Sequence, residues 1–191
     1  MKKIFILLIF FLSSFTNASS EIKRIISGDL SAKITIIVYE SLTCSHCADF
    51  HKKIYPELKK DYIDKGLVKI EFRHFPLDLA AFNASKIAQC KNDGKPNILN
   101  LLFANQSKWA KGETVEEFNA NIKKLIKEKN INLNFEKCIN NKEIEDFVLN
   151  SRIEGSKKFG VNSTPTIIIN NKKFDKPLNF KNIKKTIEKL I

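Results

Sequence analysis

The chain has 191 residues, with 33 Lys and Arg against 21 Asp and Glu and a formal net charge of +12. That length allows one domain with a proper core and gives no reason to invoke two. The charge does not read as a nucleic-acid stripe, because Lys is interleaved with Asn, Ile and Glu instead of clustering with aromatics. A solvated basic surface is expected, with no nucleic-acid partner.

Met1-Lys2-Lys3 is basic, Ile4 to Leu12 is continuously apolar, and Thr16-Asn17-Ala18 offers small residues for cleavage. This pattern predicts a secretory signal peptide over 1–18. The apolar run is shorter than the roughly 20 residues of a membrane-spanning helix, and no later segment could cross a membrane. Ile22, Ile25 and Ile26 then give a short apolar patch before the turn-like Ser27-Gly28-Asp29.

Ile34, Thr35, Ile36, Ile37, Val38 and Tyr39 form an almost wholly β-branched run, as a buried strand should be. It stops at Thr43-Cys44-Ser45-His46-Cys47. Beyond it, Cys47, Phe50, His51, Ile54, Tyr55 and Leu58 recur on one helical face. Cys44 therefore falls at or next to a helix N-terminus, where unpaired N–H groups and the macrodipole favour a thiolate. Cys47 lies one turn further on, close enough to close a small disulfide ring, and His46 can add positive charge beside Cys44. Pro56 predicts a kink or an early end to this helix.

Leu67 to Arg73 reads as a second strand, with Val68, Ile70 and Phe72 alternating against Lys69, Glu71 and Arg73. From about Leu77 to Lys158 the period is helical. One stripe holds Ala80, Ala84, Ile87 and Ala88; another, with Ile98, Leu101 and Leu102, follows the break at Gly94-Lys95-Pro96. A third, Phe118, Ile122, Leu125 and Ile126, stands behind the capping box Thr114-Val115-Glu116-Glu117, and Ile144, Phe147, Val148 and Ser151 mark a fourth. In an oxidising compartment Cys90 and Cys138 are natural partners in a structural disulfide tying this block together, two free thiols being the alternative. Strand character returns at Thr166-Ile167-Ile168-Ile169. Asn170-Asn171 is a turn signal, and Lys172-Lys173-Phe174 can return antiparallel. Phe180, Ile183, Ile187, Leu190 and Ile191 predict a closing amphipathic helix.

Helical crossovers make the early strands parallel and the hairpin antiparallel, so the expected fold class is α/β. It is a thioredoxin-like mixed sheet with an inserted helical domain: 19–76 and 159–191 form the two parts of the thioredoxin-like domain, and 77–158 the insertion. Three pieces then stand out: Tyr39-Glu40-Ser41-Leu42-Thr43-Cys44-Ser45-His46-Cys47-Ala48, Arg73-His74-Phe75-Pro76-Leu77-Asp78, and Phe159-Gly160-Val161-Asn162-Ser163-Thr164-Pro165-Thr166. Together they make the chain resemble the DsbA-type thiol:disulfide oxidoreductases, in the exported bacterial branch with a second cysteine pair.

The resemblance implies that Cys44 is the nucleophile, Cys47 the resolving thiol, and Thr164-Pro165 a cis peptide facing them. It also implies a periplasmic location, reduced or unfolded exported polypeptides as substrates, and a membrane protein that restores the disulfide. Two departures stand beside it: Ser45 replaces a frequent Pro, and Val38 stands where some relatives carry Glu. Glu40 points to the same side two residues on. It is expected as an exposed carboxylate at the strand end, the alternative being a group that assists proton transfer to Cys47. His51 and His74 are expected as helix-face and strand-end residues.

No cofactor or metal is expected. Cys90 and Cys138 form no second CxxC pair for zinc, and haem attachment needs His where Ala48 stands. An isomerase or reductase would share the motif, and a non-catalytic peptide-binding module with structural disulfides is the rival of a different class.

Overall fold

The computed structural model describes residues 21–191, so the signal peptide expected over 1–18 lies outside the described residues. Five strands, β1 (Ile25–Ser27), β2 (Ile34–Glu40), β3 (Val68–His74), β4 (Thr166–Ile169) and β5 (Lys172–Lys173), form one mixed sheet in the order β1-β3-β2-β4-β5. β2 runs parallel to β3 through a helical crossover and antiparallel to β4. β1, which the sequence showed only as an apolar patch, pairs antiparallel with β3 as the edge strand. At the other edge Asn170 and Asn171 take φ of 45° and 65°, the left-handed pair that a tight hairpin between β4 and β5 requires.

The crossover is α1, which runs over 45–63 without a break. Its α-helical pieces Ser45–Asp49 and Tyr55–Leu58 alternate with wider π turns at Phe50–Ile54 and Lys59–Ile63. In the first of these, Tyr55 N–H reaches back to Phe50 O, five residues away. The wider turn absorbs the hydrogen bond that Pro56 cannot make, so the helix continues past the proline instead of ending there.

Between β3 and β4 lie α2 (Leu79–Gln89), α3 (Asn97–Ala104), α4 (Gln106–Trp109), α5 (Val115–Glu128), α6 (Phe135–Ile139) and α7 (Lys142–Phe159). The Thr114 and Glu117 capping box is formed at the start of α5. α8 (Phe180–Ile187) closes the fold with Ile183 and Ile187 buried. Leu190 and Ile191, expected on the same stripe, lie past its end and are exposed. Cys90, at the end of α2, is bonded to Cys138 of α6.

β2 is buried on both faces, as a central strand should be. Ile34, Ile36 and Val38 face the main core with α1 and the helical layer, whereas Ile37 and Tyr39 face a smaller cluster with Phe75, Val161 and Ile168. α7 covers that second side, so the polar face of β3 is not solvated. Arg73 bonds Glu71 at 2.7 Å, the Tyr39 hydroxyl at 2.9 Å and Glu154 of α7 at 2.8 Å.

The approach of α7 to the sheet depends on Gly155, where a Cβ would lie 2.7 Å from Cε1 of the fully buried Tyr39 ring. Because Tyr39 is held by Arg73, the ring has little room to move. Gly155→Ala is expected to destabilise by about 1–3 kcal/mol, read as a lower denaturant midpoint. An unchanged midpoint would mean that the helix moves away freely.

Candidate active site

Cys44 occupies the N-cap of α1 with extended backbone (φ −76°, ψ 121°), and its carbonyl accepts the N–H of Ala48. The loop before it is fastened to the helical layer at two points. Thr43 Oγ1 donates to Asp78 at the N-cap of α2 (2.7 Å), and Gln106 Nε2 of α4 donates to the carbonyls of Leu42 and Cys44 at 2.8 and 3.0 Å. Asp78 and Gln106 are positioning residues that the periodicity of their helices does not reveal.

Cys44 and Cys47 are both free, Cys44 partly exposed and Cys47 buried. Cys44 is lowered to about 5. The largest cause is the hydrogen bond from Cys47, opposed by burial. Donation from Thr164 and from the backbone N–H groups of Cys47 and His46 adds to the lowering. His46 thus reaches Cys44 through its backbone N–H, while its side chain is exposed. Burial pushes the Cys47 thiol up, and the bond to Cys44 and the Glu40 charge push it further. The two sulfurs are therefore differentiated into an ionised partner at the surface and a protonated one beneath it.

The Thr164-Pro165 peptide is cis and stands opposite the cysteines. Cys44 Sγ is 3.3 Å from the Thr164 carbonyl, which takes the S–H of the thiol form. The Thr164 hydroxyl is buried without another partner and is free to turn toward the thiolate form. Thr164, Pro165 and His46 border a groove of about 500 Å³ with Phe50, Leu178 and Phe180.

One expectation is corrected here. Glu40 is not a solvated strand-end carboxylate: it is 2% exposed, and its Oε2 meets His51 Nε2 at 2.8 Å. The strand end is roofed by α1, where His51, on the helix face as expected, lies in the π turn with its side chain 6% exposed. His74 ends β3 as expected but is buried against Gln89, and burial lowers it to about 4.

A family model described as Thioredoxin matches residues 20–189. The fold is similar to the crystal structure of alpha-DsbA1 from Wolbachia pipientis, with a TM-score of 0.78 and 29% identity over 87% of this chain and 90% of that one. Disulfide bond formation protein D of Bacillus subtilis is 27% identical over 172 residues, which is 85% of this chain and 74% of that protein. A Rickettsia conorii protein, provisionally named a protein-disulfide oxidoreductase, is 29% identical over 147 residues, 75% of this chain. The chain spans about half the length, or less, of the Rickettsia relatives it matches. With this family match, a sheet of the corresponding architecture and a differentiated cysteine pair at the strand-to-helix junction, the chain belongs to the thioredoxin family and has a DsbA-like fold.

Proposed function

We propose that the protein is exported to the periplasm and donates a Cys44–Cys47 disulfide to reduced secreted polypeptides through a mixed disulfide at Cys44. The observation that carries this reading is the split between the sulfurs: Cys44 lowered to about 5 and reachable, Cys47 buried and held as a thiol. A thiolate of low basicity is a good leaving group, so a mixed disulfide at Cys44 is readily resolved by the substrate's second thiol. The same stabilisation makes the dithiol form comfortable and the disulfide ready to pass on.

In this reading Cys44 is the nucleophile and Cys47 its partner, with Thr164 and Pro165 facing the substrate. The groove beside them is apolar at Phe50, Leu178 and Phe180, which suits an unfolded chain presenting side chains to a wall beside the reacting sulfur. After transfer the Cys44 and Cys47 dithiol is returned to the disulfide by a membrane reoxidase.

The test is to mix the disulfide form with a reduced, unfolded protein and follow thiol loss on the substrate and thiol gain on the enzyme. Stoichiometric transfer is expected, with the cysteine pair mostly reduced at equilibrium in a glutathione buffer. A pair that stays oxidised in the presence of substrate thiols would overturn the donor assignment. Efficient repair of a scrambled substrate without net oxidation would instead identify an isomerase.

A further inference from the structure

We propose that the end of the fold opposite Cys44 is a membrane-contact surface for anionic phospholipid headgroups, a role that rests on the export proposed above and not on the direction of disulfide transfer. β2 leads from Ile34 into the active-site loop, so its start marks the far end of the sheet. β3 begins there beside it at Val68, and β4 ends there at Ile169. α1 returns the chain from Cys44 to this end over 45–63, about 28 Å at 1.5 Å per residue. The pieces of the far end are bonded to one another. Asn170 N–H donates to the Thr35 carbonyl (2.9 Å), Lys69 Nζ to the Leu30 carbonyl (2.6 Å), and the Tyr62 hydroxyl to Glu188 just past α8 (3.4 Å).

Four segments make up this end: 28–33, 59–69, 170–173 and 184–191. Their 29 residues hold ten Lys against four Asp and Glu, a net charge of +6, whereas residues 21–191 together carry +10, the full +12 less Lys2 and Lys3. About a sixth of the described chain thus holds more than half of its excess charge. Three of the four acids are already engaged: Asp29 accepts from Ser31, Asp64 pairs with Lys59, and Glu188 faces Lys184. By contrast the side chains of Lys33, Lys60, Lys65, Lys172, Lys185 and Lys189 are exposed and make no ion pair or hydrogen bond among the described residues. The segments around Cys44, 41–49, 75–80 and 160–166, contain Asp49 and Asp78 and no Lys or Arg. The excess positive charge is therefore gathered at the end away from the cysteines.

Apolar side chains stand among these free lysines. Leu30, Leu67, Leu190 and Ile191 are 38–69% exposed and make up half of the exposed large hydrophobic side chains among the described residues. Leu190 lines a shallow groove with Lys172 and Phe174, so the end of α8 and the β4-β5 hairpin form one surface. Apolar tips set between flexible ammonium groups suit a fluid interface, where the tips enter the headgroup layer and the lysines stay with the phosphates. An acidic substrate polypeptide fits this end less well, because it would be held the length of α1 away from the sulfur that reacts with it. Bound by this end to an anionic membrane, the protein presents Cys44 away from the bilayer.

The test is sedimentation of residues 19–191, which contain every described element, with vesicles of phosphatidylcholine alone or with about 30% phosphatidylglycerol, at low and high salt. Binding to the anionic vesicles only, weakened by salt, is expected. Lys65→Glu with Lys172→Glu and Lys189→Glu should weaken it about tenfold or more. The same number of reversals away from this end, Lys108→Glu with Lys111→Glu and Lys157→Glu, should cost less than about threefold. Leu30→Ser with Ile191→Ser should weaken binding about threefold or more at unchanged net charge. Iodoacetamide should reach Cys44 as fast on the vesicles as in solution. Equal losses in the two triple variants would overturn the surface by making binding a matter of net charge, and vesicles that shield Cys44 would overturn it by placing the contact at the other end. A wild type that stays off the vesicles and binds polyglutamate instead would also overturn it, with an acidic polypeptide as the occupant. A protein that binds the vesicles by this end but transfers no disulfide overturns the donation reading alone. One that transfers disulfides but stays off the vesicles overturns the surface alone.

Discussion

Alkylation of the reduced protein by iodoacetamide is expected to follow a midpoint near pH 5 at Cys44 and to leave Cys47 untouched. An ordinary Cys is only a few per cent thiolate at neutral pH, whereas a thiol lowered to about 5 is almost fully ionised there. The donors responsible can be separated. The largest is the S–H of Cys47, so Cys47→Ala should move the Cys44 midpoint upward, while Cys47→Ser keeps a donor in place and should hold it low. Both variants lose disulfide transfer entirely, because neither can form the Cys44–Cys47 bond. If Cys47→Ala leaves the midpoint near 5, the helix N–H groups and Thr164 carry the effect instead.

The same shift sets how stability depends on pH. The folded value of Cys44 lies below the unfolded value of about 8.5, so ionisation stabilises the reduced fold above pH ~8.5, and that gain is lost as pH falls through about 5. Undiscounted, the gap corresponds to ~5 kcal/mol; Cys44 is partly exposed, and screening by solvent brings it to about 2–3 kcal/mol. Cys47 adds nothing below pH ~8.5, because it is protonated both folded and unfolded there. The disulfide form has no thiolate and shares none of this gain. Reduced protein should therefore outlast oxidised protein in denaturant at pH 7, with the difference shrinking toward pH 5. At pH 7 only about two of the ~3.5 pH units between the folded and unfolded values are realised, so the bias toward the dithiol there is about 1–2 kcal/mol, or about 20–40 mV. Equal stability of the two forms at pH 7 would remove the thermodynamic reason for donation.

What could be read from the sequence was what local pattern encodes. The β-branched run of β2, the helix start at Cys44, the Thr114 capping box and the Asn170-Asn171 turn each have a signature within a few residues. What could not be read depends on what packs from a distance. Alternation along β3 shows that Glu71 and Arg73 share a face, yet not that α7 brings Glu154 across to them. Likewise the spacing of Glu40 gives its side of the sheet, while its burial depends on the helix packed over it, which places His51 Nε2 2.8 Å from its carboxylate. Pro56 carried the signal for the π turn in α1, but a missing N–H is equally compatible with a kink, a stop or a widened turn. The loop-fastening role of Gln106 had no signal at all, since a four-residue helix has too few positions to show a period.

Removing the second cysteine pair should have the largest effect on stability. Cys90→Ala with Cys138→Ala is expected to cost about 4 kcal/mol by release of the unfolded chain, because the bridge spans a sequence separation of 48 residues. That stretch holds α3, α4 and α5, so the bridge restricts the segment that delivers Gln106 to the active-site loop. The folded contacts it leaves behind are substantial. Lys86 of α2, almost fully buried, donates to the Ile139 carbonyl at the end of α6 (2.6 Å) and stands 3.5 Å from Glu145 of α7. The three helices therefore stay joined without the sulfurs, and the variant should fold with its Cys44 midpoint still near pH 5 while unfolding at clearly lower denaturant. The contrast separates two roles. A midpoint that rises with the loss of the bridge would mean that the helical layer needs the covalent tie to hold the loop around Cys44. A loss of stability below about 1 kcal/mol would mean that the unfolded chain is already as confined without the bridge as with it.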